Sequence, residues 1–157
     1  MKTIKERVQS KFITFLMLNL IIISSFLFSS FTQARTPEDV MKDLKKAARS
    51  SVATYKKGGM SGLISVTQDC YKRVGKNKFY CVYLDLASRR IDQLMVEGAA
   101  MRGIKFPKNE FFDDEEFGPR VAGVFNKANM SMDDANEYLA KVTPIINKLV
   151  EENLMNK

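Results

Sequence analysis

Two cysteines, Cys70 and Cys81, flank Gly75, and each lies on a stretch whose apolar residues recur at helical spacing. That arrangement leaves the chain few folds. Leu63, Val66, Thr67, Cys70, Tyr71 and Val74 fall at i, i+3, i+4, i+7, i+8 and i+11, one face of a helix that ends at Gly75. Beyond Lys76-Asn77-Lys78, a second face is made by Cys81, Leu84, Ala87, Ile91, Leu94, Met95 and Gly98. A turn centred on Gly75 lays the two helices antiparallel and brings both thiols level. In an oxidising compartment such a pair closes, and a loop of this size stabilises the fold by about 2 to 4 kcal/mol. A catalytic thiol couple is normally Cys-x-x-Cys near a helix start, which this spacing does not match. Phe79 to Leu84, rich in Tyr and Val, also suits a short strand, but the helical period continues well beyond it and predicts helix.

The flanking segments extend the same pattern. Thr36-Pro37-Glu38-Asp39 places a hydroxyl at the N-cap, a proline at N1 and acids in the first turn. Val40, Leu44, Ala47, Ala48, Val52 and Tyr55 then repeat until Lys56-Lys57-Gly58-Gly59, which predicts a helix over 37–57 whose other side carries Lys42, Lys45, Lys46 and Arg49. Asp85 and Arg89 read as a supporting i, i+4 surface pair. Gly103 to Lys108 breaks the helical run, and Gly118-Pro119 leads into a helix carrying Val121, Val124, Phe125 and Ala128. Ser131 caps a last helix with Ala135, Tyr138, Leu139, Val142, Ile145, Ile146, Leu149 and Val150 inward, kinked or restarted at Pro144. Met95, Met101, Met130 and Met132 read as core filling or a flexible contact surface. The expected fold is all-α: a compact bundle of about five helices over 35–157, with one αα-hairpin stapled by a disulfide.

Residues 1–34 read as an export leader. Lys2, Lys5, Arg7 and Lys11 precede an uncharged stretch from Phe12 to Ala34 that closes on Thr32-Gln33-Ala34, small residues where a signal peptidase cuts. The alternative is an uncleaved anchor, since Phe12 to Phe31 is long enough to span a bilayer. Asn19 and the serines at 10, 24, 25, 29 and 30 weaken it as a permanent span. Either way the domain is expected in the periplasm or outside the cell, meeting membrane only if the leader stays uncleaved. Without the leader's four basic residues and one acid, 21 basic and 17 acidic residues remain, a net +4 against +7 for the whole chain. That mild basicity argues against nucleic-acid binding.

The most unusual segment opposes this charge. Glu110, Asp113, Asp114, Glu115 and Glu116 interleave with Phe111, Phe112 and Phe117. In one reading the acids fill the first turns of the next helix while the rings anchor a loop to the core. In the other, Phe111, Phe112, Asp113, Asp114, Glu115, Glu116, Phe117 and Arg120 form a docking loop, with aromatic contact area and acids matched to a basic partner. The 12-residue oxygen pattern of a calcium loop is absent.

Function is bounded by what is missing. The chain has no His and no Trp, and no Gly-x-Ser-x-Gly elbow, phosphate loop or His-x-x-x-His pair occurs. No catalytic residue, metal or cofactor is therefore assigned, and no enzyme is expected. The build resembles that of small exported immunity proteins that neutralise cell-wall-degrading effectors of type VI secretion, which are helical, disulfide-stapled and in some cases dimeric. The resemblance implies a protein partner, a basic-surfaced effector enzyme, and is compatible with a homodimer. An alternative is an envelope accessory or stress protein binding peptidoglycan, lipid or a small ligand. A third is a weak hydrolase working through carboxylates.

Overall fold

The computed structural model describes residues 35–73 and 78–156. They form helices α1 (Pro37–Lys72), α2 (Lys78–Ala100), α3 (Asp114–Lys127) and α4 (Met132–Met155), with a 3-10 turn at Glu110–Phe112 before α3. No strand occurs among the described residues, so the Phe79 to Leu84 stretch is helical. The leader, its cleavage point and the hairpin turn at 74–77 lie outside the described residues.

The helix α1 has two arms, 37–58 and 60–72, divided at Gly59, whose φ of 60° and ψ of −154° are open only to glycine. The Lys56-Lys57-Gly58-Gly59 stop is thus a reversal between the two arms of α1, giving five helical rods among the described residues. Contacts fix the directions. Ser51 from the first arm and Thr67 from the second both reach Ser88 Oγ, at 3.3 and 3.4 Å. Tyr55 donates to Met95 Sδ at 2.8 Å, and Cys70 is bonded to Cys81 with a Cα–Cα distance of 5.5 Å. The first arm therefore runs parallel to α2 and the second antiparallel to it.

Every residue of α2 from Cys81 to Ser88 is buried, which makes it the central rod rather than an amphipathic surface helix. Its polar members are tied in by hydrogen bonds, as burial requires. Ser88, for instance, is held by Ser51 and Thr67, and Ser51 of the first arm also donates to Leu84 O. On the other flank Phe79, Phe125 and Tyr138 meet edge to face with centroids 5.7 to 5.9 Å apart, and Tyr138 hydrogen-bonds the Tyr83 hydroxyl. Arg90 joins Glu151 through Nε at 3.0 Å and Nη2 at 2.8 Å, so α4 runs alongside α2 in the same direction. Ser131 Oγ accepts from Asp134 N at 3.1 Å and caps α4. Pro144 sits inside α4 without ending it; it is exposed, so the carbonyl whose partner it removes opens to solvent. Met130 is half-buried against the core and Met95 is half-buried under the Tyr55 hydroxyl, whereas Met101 and Met132 are 85% and 63% exposed.

Candidate interaction surface

The chain leaves α2 through a sharp exit. Gly103, at φ 71°, lets its own N–H reach Ala100 O and that of Ile104 reach Ala99 O, both at 2.9 Å, the paired closure of a glycine-terminated helix. Residues 101–108 are all exposed. Their far end is tied back by Asn109 N–H, which donates to the Asp92 carboxylate at 3.3 and 3.4 Å. Asn109 Oδ1 then accepts from Phe111 N at 3.1 Å and starts the 3-10 turn, from which Asp113 leads directly into α3.

The acidic segment divides into a buried base and an exposed crest. Phe112 and Phe117 are 2% and 8% exposed and belong to the core, and Phe111 is half-buried with its ring edge-on to Phe112 at 5.0 Å. Asp114, Glu115 and Glu116 occupy the first turn of α3, where the helix dipole favours them, and all three are exposed; Asp113, at the N-cap, is half-buried. The helix starts at Asp114, four residues before the Gly118-Pro119 start expected from sequence. Pro119 stands inside it.

Arg120 faces inward and joins these parts. Its Nε and Nη2 hold Asp85 Oδ2 and Oδ1 at 3.0 and 3.2 Å, Nη2 also reaches Phe111 O at 2.8 Å, and Nη1 reaches Glu116 O at 2.9 Å. The guanidinium lies 3.9 Å over the Phe111 ring. Asp85 has no exposed surface and pairs with Arg120, not with Arg89 as the i, i+4 spacing suggested; Arg89 reaches Asp114 at 2.6 Å. Burial pushes the Asp85 carboxyl above the ordinary range, opposed by the hydrogen bonds and charge of Arg120. The Tyr71 hydroxyl is buried close enough to Asp85 to feel its charge but makes no hydrogen bond of ordinary geometry. Burial, then Asp85, raises its pKa far above the usual phenol range. Asp92 is likewise pushed up by burial, against the Asn109 N–H. Neither Asp85 nor Asp92, at 0% and 3% exposure, opens to a substrate.

Of the sequence-derived docking residues, then, Asp114, Glu115 and Glu116 face solvent together, Phe111 and Asp113 are half-exposed, and Phe112, Phe117 and Arg120 form the mount beneath. Cys70 and Cys81 are joined, and no free cysteine occurs among the described residues. The residues overlooked in the sequence are Ile104 and Phe106, exposed by 52% and 42%; they stand beside Met101, read there as core or contact surface and exposed by 85%. Their signal was the alternation of apolar residues with Arg102, Lys105 and Lys108 and the lack of any acid between Gly98 and Asn109. An open hollow of about 570 Å³ lies beside the disulfide, bordered by Lys46, Ser50, Asp69, Arg73, Lys78 and Tyr80 among others. Comparison of the chain with protein-family models, with curated proteins and with solved structures finds no match.

Proposed function

We propose that the protein is an exported, non-enzymatic protein-binding module, and within that class an immunity protein or inhibitor that occupies the cationic cleft of a cell-wall-degrading effector. The observation that carries this reading is the crest of carboxylates at 114–116, exposed on a base locked by Phe112, Phe117 and the Arg120–Asp85 pair. A preorganised charged surface loses little entropy on docking, and its acids steer and align a basic partner. The disulfide supports an oxidising compartment, which agrees with the leader-like N-terminus. The test is co-purification with a toxic amidase or muramidase encoded beside this gene. Charge reversal across Asp113 to Glu116 should abolish protection against it; unchanged protection would remove the crest from the account.

A second reading, an envelope accessory that binds a small ligand, is favoured by the hollow beside the disulfide, whose size suits a ligand and whose border carries three cations and one acid. It predicts saturable binding of a small anion that Lys46→Glu weakens while helical content stays unchanged.

A further inference from the structure

Three of the large apolar side chains most open to solvent lie in one eight-residue strip, Met101 to Lys108, and alternate there with Arg102, Lys105 and Lys108. Both ends of the strip are pinned, by the Gly103 closure on one side and by the Asp92–Asn109 contact on the other. The Tyr55–Met95 hydrogen bond brings the end of the first α1 arm level with the last turn of α2, which adds the exposed Lys56 and Lys57 to the same end of the bundle. The Arg90–Glu151 pair brings the end of α4 there too, with Met155 73% exposed. Five exposed cations, three of them within the strip, thus lie at the end of the bundle that carries these apolar side chains. Of the acids nearby on α2, Asp92 is engaged by Asn109 and Glu97 by Arg90. The acidic crest lies behind the start of the strip, with Asp114 tied to Arg89 roughly 16 Å along the helix from Ala100, whereas the strip's far end comes back toward it: Lys108 and Asp113 both act on the charge of Asp92, and Glu110 is exposed two residues beyond Lys108.

We propose that this end of the bundle docks on the surface of an anionic phospholipid bilayer, with Ile104 and Phe106 entering the boundary between headgroups and acyl chains and the five cations on lipid phosphates. An apolar strip laced with cations fits a soft anionic interface, where the apolar groups insert and the charges stay in the headgroup layer. This surface is separate from the carboxylate crest and goes beyond the partner-blocking reading.

The chain contains no Trp, so Phe106→Trp supplies a unique local reporter in the full-length protein. Its emission should shift to the blue, and be quenched by brominated acyl chains, with vesicles containing phosphatidylglycerol but not with pure phosphatidylcholine. Each cation lost should lower partitioning roughly fivefold, so adding Arg102→Glu, Lys105→Glu and Lys108→Glu to the reporter should lower it by over a hundredfold, and raised salt should weaken it. Met132→Trp, on the exposed N-terminal turn of α4 at the opposite end, should keep its aqueous emission. Reversing the charges at 113–116 should leave the Phe106→Trp shift intact, which separates this proposal from the fate of the crest. The proposal is overturned if anionic vesicles give no shift, or if the charge-reversed protein shifts equally. It is also overturned if Met132→Trp shifts as much, or if the shift appears without lipid, on concentrating the protein or on adding a protein partner.

Discussion

Replacing Arg120 by Met keeps most of the side chain's apolar stem but removes the one cation hydrogen-bonded, among the described residues, to the fully buried Asp85 carboxylate. Leaving a buried charge without its partner costs about 3 to 5 kcal/mol. In a domain of this size that is a fall in Tm of roughly 10 to 20 °C. The pH dependence gives a second reading of the same event. Burial already raises the Asp85 pKa in the folded protein, and loss of Arg120 removes its main opposition, so the native state of the variant binds the proton more tightly than the unfolded chain does. Between the unfolded carboxyl pKa of about 3.9 and the raised folded value, stability therefore increases as pH falls. Asp92, also raised by burial, contributes the same sign to both proteins, so the difference between them isolates Asp85. Urea unfolding followed by circular dichroism at pH 7.5 and pH 5 should show Arg120→Met closer to wild type at the lower pH. The double variant Asp85→Leu/Arg120→Met should recover most of the loss, because an apolar pair carries no desolvation cost. A loss below about 1 kcal/mol, or a pH slope equal to that of wild type, would refute the assignment of this pair as the lock under the crest.

Gly59→Ala should destabilise the protein by about 1 to 3 kcal/mol in urea unfolding, although no atom lies within 4 Å of the added Cβ, because the cost is set by backbone conformation and not by a clash. The double change Cys70→Ser/Cys81→Ser should lower stability by about 2 to 4 kcal/mol, and mass spectrometry of unreduced wild-type protein should find no alkylatable thiol at either position.

The sequence made the helices and the staple legible because both depend on local spacing. The face through Leu63, Thr67 and Cys70 needs only the helical period, and Gly75 midway between the cysteines needs only a turn. What periodicity could not disclose is that α2 has no wet side. It assigns each helix one inner face, so Tyr83, Asp85 and Leu86 fell on the outer one, and Asp85 was matched to Arg89 within its own helix. Its actual partner arrives from α3, 35 positions away, a contact made by packing alone. The acidic segment was legible in the first of its two readings: Asp114 to Glu116 fill the opening turn of α3, and Phe112 and Phe117, which flank that entry, turn into the core. Conversely Met101, Ile104 and Phe106 have the chemistry of core residues, and only the sharp exit at Gly103 places them outside.

The covalent tie between Cys70 and Cys81 makes the two poles of the bundle unequal. Near the bond, the second arm of α1 and the start of α2 separate only if the polypeptide carries them apart together. At the far pole the Gly59 reversal, the end of α2 and the end of α4 meet through side chains alone. Local opening is therefore expected to be polarised: amide exchange should be faster around Tyr55 and Met95 than beside the sulfur bridge, leaving one tip free to adapt while the other keeps the register of the rods.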